Sequence, residues 1–355
     1  MGIANRQATT RGISAALSAA LLFGASTPLA KLLLDRTGPW LLAALLYLGS
    51  GVGLWLVRRI GHSPAVKLGG DDMRWLAGAI LAGGIVAPVA LMFGLTAMPA
   101  SGAALLLNAE GVLTALLAWF AFHENFDRRV ALGMLAIVLG AIVLSWPGEV
   151  RFAGVVPLLL ILGACLGWAI DNNLTRKVSL ADATYIAMTK GLVAGTTNLV
   201  LAVWLRAPWP DGVTVAGAAL LGFASYGVSL TLFVIALRHL GTARTGAYFS
   251  VAPFFGALLA IVLLDETITP QLLAAGGLMA MGVALHITEH HEHEHAHDAI
   301  EHSHEHSHDD PHHRHAHATP VAPGTRHTHV HRHEPLRHSH AHFPDMHHAH
   351  RHPGD

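Results

Sequence analysis

Ten stretches of this sequence are apolar for about 20 residues at a time: residues 12 to 34, 38 to 57, 75 to 96, 100 to 121, 129 to 146, 153 to 175, 182 to 205, 213 to 236, 240 to 264 and 268 to 287. About 20 apolar residues is the length of helix that crosses the hydrocarbon core of a bilayer. Inside that core every backbone N–H and C=O must be satisfied within the protein, which leaves helices as the structure for such segments. The chain therefore reads as an all-α integral membrane protein of ten transmembrane helices. Composition agrees, with 52% apolar and only 13% charged residues, far from the balance of a soluble domain. The first segment follows Arg6 and Arg11 but is longer than a signal's apolar core and ends in Lys31, so it reads as a retained helix. Cys165 is the one cysteine, which excludes an intrachain disulfide and a thiolate metal cage. No nucleophile–base pairing or closed cofactor motif appears, so the chain does not read as an enzyme; its net charge of -1 averages a membrane body with the tail and says nothing of partners, and no nucleic-acid partner is expected.

Lys and Arg in the short loops set the orientation. With a cytoplasmic N-terminus, that side holds Arg6, Arg11, Arg58, Arg59, Lys67, Arg74, Arg128, Arg129, Arg176, Lys177, Arg238 and Arg244. The other side holds Arg36, Arg151 and Arg206, with Lys31 if it snorkels outward. An even number of spans then puts both termini in the cytoplasm. Most tryptophans fall near span ends, as interfacial aromatics do, whereas Trp168 lies within a span.

The segments from Leu240 to Ile287 form two apolar helices joined by an acidic turn at Asp265 and Glu266, with Pro253 in the first. A weaker copy lies 142 residues upstream: Ala115 to Ala118 match Ala257 to Ala260, Glu124 matches Glu266 and Gly140 matches Gly282, without a gap. Both copies close their half of the chain, which points to a tandem duplication. The divisions are residues 1–147 and 148–288, two five-helix repeats, and 289–355, a tail. Five helices is an odd number, so the second repeat is inverted relative to the first, an arrangement in which a site forms near the midplane between halves that rock against each other.

The stretch LRHLGTARTGAYFSVAPFFGALLAIVLLDETITPQLLAAGG, within Ala236 to Leu285, closely resembles the signature of the EamA family of the drug/metabolite transporter superfamily. The resemblance covers about residues 12 to 287. It implies an alternating-access carrier, usually an exporter of small metabolites, in the plasma membrane of a prokaryote with both termini cytoplasmic. One departure is in the fourth span, where the family often has Pro and this chain has Gly111 beside Glu110.

An ionisable side chain at bilayer depth costs at least about 2.5 kcal/mol on insertion scales, so each one marks a functional position by default. Glu110 lies near the middle of the fourth span, with Asn108 two residues earlier and Thr114 one turn later on the same face. A carboxyl there exchanges a proton when a cavity opens to it from either side; otherwise it is a protonated packing partner for a neighbouring helix. Asp171, Asn172 and Asn173 form a second cluster in the sixth span, either lining a site or fraying at the interface before Arg176. Lys190, in the seventh span, has Asp171 as its natural counter-ion, making a clamp or a gate. If it lined the cavity instead, it would select anions. Tyr226, Tyr248 and Ser250 complete the set expected along the substrate or proton pathway, although polar groups between transmembrane helices more often act as packing glue. Ser26, Thr27 and Pro28 are placed to interrupt the first helix.

Of 28 histidines only His62, His123, His239 and His286 precede residue 290. The tail that holds the rest alternates His with Glu, Asp, Ser and Ala and has no apolar core, so it reads as disordered in isolation. Imidazole with some carboxylate suits zinc, nickel or cobalt better than magnesium or calcium. The expected ligands are His291, His293, His295, His297, His302, His304, His306, His308, His312, His313, His315 and His317. No resident cofactor is required; the divalent transition metal belongs to the tail. The partners expected are the lipid bilayer and a small solute or metal ion, with a homodimer open to such a chain. Three functions stay in play: a proton-coupled exporter of a small metabolite or of Ni, Co or Zn; an organic-solute exporter whose tail only buffers metal; and a membrane-anchored metal store or sensor.

Overall fold

The computed structural model describes residues 3–63, 66, 68–122, 128–145, 155–178, 182–240 and 248–287, and in the tail 292–297, 301–306, 327–332 and 336–341. Glu124, His291, His308, His312, His313, His315 and His317 lie outside the described residues. The chain divides into two units, Met1–Glu289 and His290–Asp355.

The described part of the first unit is helical. Its helices are α1 (Ile3–Gly24), α2 (Ser26–Leu34), α3 (Pro39–Ile60), α4 (Gly70–Ala79), α5 (Ala87–Thr96), α6 (Ala100–Leu106), α7 (Ala109–Phe122), α8 (Arg128–Ser145), α9 (Val155–Lys177), α10 (Ala183–Trp204), α11 (Gly212–Gly222), α12 (Ser229–Leu240), α13 (Ala252–Leu264) and α14 (Pro270–Ile287). Among the described residues, seven stretches are long and apolar enough to cross a membrane: Arg11–Leu34, Pro39–Ile60, Gly70–Thr96, Ala100–Leu117, Val155–Thr175, Ala183–Trp204 and Gly212–Phe233. Where the sequence suggests the fifth, ninth and tenth spans there are three shorter apolar helices, Ala131–Ser145, Ala252–Leu264 and Pro270–Leu285. The ninth is short because the backbone turns at residues 250–251, just ahead of α13.

Helix ends follow local chemistry. Asp182 and Asp211 cap α10 and α11 by accepting the N–H groups of Tyr185 (2.9 Å) and Thr214 (2.8 Å), which satisfies donors that a helix start leaves open. Pro39 opens α3, where its missing N–H is not needed. Thr269 Oγ1 accepts the Leu272 N–H at the start of α14. Asp265 ends α13 at φ 50°, a left-handed conformation that Asp tolerates better than most residues.

Five irregularities shape the interior of the described helices. A turn at Ala25 separates α1 from α2, beside the Ser26-Thr27-Pro28 run expected to interrupt the helix. Two π-helical turns, Ile80–Val86 and Phe223–Val228, bridge α4 to α5 and α11 to α12. They begin one repeat length apart to within a residue, as do the breaks at residues 107–108 and 250–251 that precede α7 and α13. Each π turn widens the helix by a residue and releases backbone carbonyls from the regular ladder, a distortion concentrated at functional sites.

The halves interlock through backbone contact at glycines. A Cβ on Gly191 of α10 would lie 2.6 Å from the Gly51 nitrogen of α3, and one on Gly195 would lie 2.6 Å from the Leu48 nitrogen. Close approach at small residues is how helices gain van der Waals contact in lipid, where the hydrophobic effect does not drive them together. The α8–α14 contact is reciprocal in the same way. Gly140 faces Met279, whose Cγ would be 2.7 Å from an added Cβ, and Gly282 faces the Gly133 carbonyl at 2.6 Å. These are the two glycines that the repeat alignment superimposes. Leu41, Leu42, Leu46, Leu91, Met92, Leu95, Leu106 and Ile161 fill the buried core between the helices.

In the second unit, residues 292–297 pair with 336–341, and 301–306 with 327–332, as two antiparallel pairs. The sequence reading expected no regular structure here. A period-two alternation of His suits an extended backbone, although a two-stranded pair is marginal by itself in water.

Candidate functional site

α7 starts at Ala109, directly after the break at residues 107–108, so Glu110 stands in the first turn of a discontinuous helix. The helix dipole favours a negative charge at such a start, and the Glu110 N–H itself turns back to the Leu107 carbonyl at 3.0 Å. Glu110 is half-buried. Its Oε1 accepts 2.8 Å from Asn172 Nδ2 on α9, and the same amide reaches Thr114 Oγ1 at 3.5 Å. Glu110 and Thr114 thus share a face, one turn apart, as the spacing suggests. Asn108 does not join them. It is buried at the break, its side chain donating 3.0 Å to the Leu105 carbonyl, which also accepts the Asn108 backbone N–H at 3.1 Å, and reaching Met279 Sδ at 4.0 Å. Residues two apart lie about 200° apart around a regular helix, so Asn108 would not share the Glu110 face even without the break.

Beside this group, Lys190 of α10 holds Asp171 of α9. Lys190 Nζ lies 2.6 Å from Oδ1 and 2.7 Å from Oδ2, and the Thr175 hydroxyl donates to Oδ1 at 2.7 Å. Asp171 is 5% exposed. Both its oxygens are engaged, so the pair is a closed, neutral unit rather than a cation left to select anions. Asn173 is spent on helix packing, donating to the carbonyls of Ala169 (2.9 Å) and Thr114 (3.2 Å).

The π turn in the third apolar stretch adds its carbonyls. Gly83 O accepts the Tyr47 hydroxyl (2.8 Å) and the Trp168 indole N–H (2.9 Å), and Gly84 O accepts Asn198 Nδ2 (3.2 Å). Gly83 abuts Asp171 so closely that an added Cβ would overlap the carboxylate. Tyr226 of the second π turn lies 5.5 Å from Tyr47, ring to ring, and 5.9 Å from Phe23. Tyr226 therefore does join the group. Tyr248 packs elsewhere, against the buried Ala15, Ala16 and Ala236, and Ser250 sits at the second break. Tyr47 and Thr175 join this group but were not singled out from sequence, and Trp168 was marked only as lying within a span. The available signal was Tyr47 and Trp168 standing mid-span, far from an interfacial belt.

Two connections between the halves flank this centre. Glu266, in the turn between α13 and α14, accepts the N–H groups of Ala100 (2.6 Å) and Ser101 (2.9 Å) and the Ser101 hydroxyl, capping α6 from the other repeat. Arg58 at the end of α3 pairs with Asp182 (2.9 Å) ahead of α10 and lies over the Tyr185 ring. Burial of Asp182 opposes its ionisation, but Arg58 and the capping N–H groups outweigh this and hold it below the ordinary carboxylate range. Lys31 does not snorkel away from the protein. It is half-buried and donates to the Leu95 carbonyl in the last turn of α5 and to the Met98 carbonyl just beyond it.

The model of the EamA-like transporter family matches twice, over residues 10–146 and 156–288. The chain belongs to the EamA-like transporter family. Among relatives of this EamA protein, a transporter of Methanothermobacter thermautotrophicus described as uncharacterized is 28% identical over 299 residues, covering 77% of this chain and 84% of that one. A protein of Salmonella typhimurium named a probable amino-acid metabolite efflux pump is 24% identical over 218 residues, covering 56% of this chain and 70% of that one. A crystal structure superimposes with a TM-score of 0.60 over 79% of this chain and 98% of the other, at 20% identity; that likeness is one of fold.

Proposed function

We propose that this EamA protein is a proton-coupled secondary carrier that exports a small organic solute across a prokaryotic plasma membrane. Ten spans in two inverted halves, with both termini cytoplasmic, form the transport unit. The observation that carries the reading is Glu110 at the start of the discontinuous α7, held by Asn172 next to the neutral Asp171–Lys190 pair. Glu110 takes up and releases the proton. Asn172, Thr114 and the aromatic groups of Tyr47 and Tyr226 line the solute path, and Asp171 with Lys190 fixes α9 against α10. The breaks before α7 and α13 are the flexing points, supported by their repeat-related positions.

The organic solute is preferred because named relatives are described as amino-acid metabolite efflux pumps. The His-rich tail favours a second reading, in which Zn, Ni or Co is cargo. Among the described residues no group of three His, Cys, Asp or Glu lies together, so that reading assigns metal binding to the tail, which collects or buffers it. Transport by reconstituted protein, full length and cut after Ile287, tests both readings with radioactive nickel, cobalt and zinc beside a panel of amino acids and their amines. Organic flux by both forms is expected. Metal flux that needs the tail would overturn the preference, and no proton-dependent flux of any solute would overturn the carrier reading.

A further inference from the structure

Resting on that carrier reading, we infer that the solute is recognised by a protonated amine that replaces the proton on Glu110, and that it carries no carboxylate needing a cation of its own.

The inference comes from counting charges at the site. Asp171 meets Lys190 through both oxygens and Thr175 through one, which leaves neither partner a free charge. Asn172 gives Glu110 a neutral amide N–H, and among the described residues no cation forms an ion pair with Glu110. The charged groups that influence Glu110 are Asp171 on α9 and Lys190 on α10. The Cys165 thiol of α9 and the Tyr47 phenol of α3 also feel its charge. From Ala131 to Ser145, α8 contributes no titratable side chain. The set as a whole carries one negative charge when Glu110 is ionised, and an unpaired charge at bilayer depth is expensive. One monovalent cation settles it. A proton does so by forming the carboxylic acid, and an ammonium group does so by forming an ion pair with the carboxylate.

The exchange balances in atoms and charge. The carboxylic acid of Glu110 and an incoming R–NH3+ give a carboxylate–ammonium pair and one released proton. The two cations compete for one group, so each is bound only when the other has left, which couples their opposite movement. An amino acid is a poorer fit than its amine. Its carboxylate would meet a site whose lysine already has both oxygens of Asp171, and adding an anion restores the net charge that the ammonium removed. Tyr47 and Tyr226, 5.5 Å apart, supply ring faces in the same region, and such faces attract ammonium groups.

Three probes of one shape separate charge from size: tyramine, a cation at neutral pH; L-tyrosine, a zwitterion; and tyrosol, neutral. Each is titrated into the full-length protein in detergent by calorimetry, in two buffers of different ionisation enthalpy, so that protons released per site are read directly. Tyramine is expected to bind at least tenfold more tightly than either other probe and to release a proton, with the amount falling as pH rises and Glu110 is already ionised. Glu110→Gln is expected to abolish the release and weaken tyramine at least tenfold. Glu110→Asp keeps the release and shows that loss in the Gln variant is not misfolding. Equal binding of tyrosine or tyrosol, proton release that survives in Glu110→Gln, or binding of none of the probes at millimolar concentration overturns the amine assignment. None of these results touches the carrier reading, which stands or falls on proton-dependent flux of any solute.

Discussion

Lys190→Met tests whether the Asp171–Lys190 pair is a clamp. Lys190 supplies two short contacts to a carboxylate that is 5% exposed, so its removal leaves a buried anion with only the Thr175 hydroxyl for company. Breaking a buried pair from one side costs about 3–5 kcal/mol, and the surviving Thr175 bond places the loss near the lower figure, about 3 kcal/mol. Asp171→Asn alone leaves a buried ammonium and is expected to lose a similar amount. The double variant removes both charges together while Asn keeps the volume pressed against Gly83 and a partner for Thr175. Its stability should return to within about 1 kcal/mol of the unmodified protein. The assay is equilibrium unfolding by dodecyl sulfate in mixed micelles, followed by circular dichroism, and the four proteins form a double-mutant cycle. A loss below about 1 kcal/mol in Lys190→Met, or a double variant that loses the sum of the singles, would refute the clamp. A stable double variant that no longer transports would instead make the pair a gate.

Gly222 meets the Leu46 carbonyl so closely that Gly222→Ala would overlap it, whereas Gly277 has nothing within 4 Å of an added Cβ. The first change is expected to lose about 1–3 kcal/mol by overpacking and the second to gain up to about 1 kcal/mol as a helical Gly→Ala, read by the same unfolding assay. Glu266→Ala removes a cap on α6 and should cost about 0.5–2 kcal/mol, with weakened protection of the Ala100 and Ser101 amides in hydrogen exchange. Because Arg58 and the capping amides lower the pKa of Asp182, its contribution is fully present above the unfolded carboxylate value of about 3.9 and fades as pH falls through the lower folded value. The stability difference between the protein and its Arg58→Gln variant should therefore hold from pH 7 to about pH 5 and shrink below about pH 4. Cutting after Ile287 should abolish high-capacity zinc, nickel and cobalt binding in equilibrium dialysis; undiminished binding would place the metal in the helical unit.

Much of this arrangement was legible in the sequence because bilayer chemistry is strict. A charged residue in a 20-residue apolar window has few permissible neighbours, and that alone paired Lys190 with Asp171 and marked Glu110. Pro28 after Ser26 and Thr27 announced the first helix break. The site contacts that went unread depend on backbone irregularity, which periodicity does not encode. Ile80–Val86 is an ordinary apolar run in sequence, yet its π turn presents the Gly83 carbonyl to Tyr47 and Trp168. Asn108 and Glu110 are two residues apart, which on a regular helix puts them on different faces, and Asn108 turns to Leu105 and Met279. The small residues of the repeats were visible, but that Gly140 and Gly282 meet opposite sides of one interface needs three-dimensional pairing. The apolar window of the ninth stretch also gives no hint of the turn at residues 250–251 inside it.

The measurement closest to the central claim is proton movement coupled to solute flux in vesicles that hold the protein and a trapped pH-sensitive dye. With an outward solute gradient and no imposed pH difference, the unmodified protein is expected to move protons into the vesicle as solute leaves, Glu110→Asp to do so at a reduced rate, and Glu110→Gln to move none. Proton movement in Glu110→Gln equal to that of the unmodified protein would contradict the assignment of coupling to Glu110.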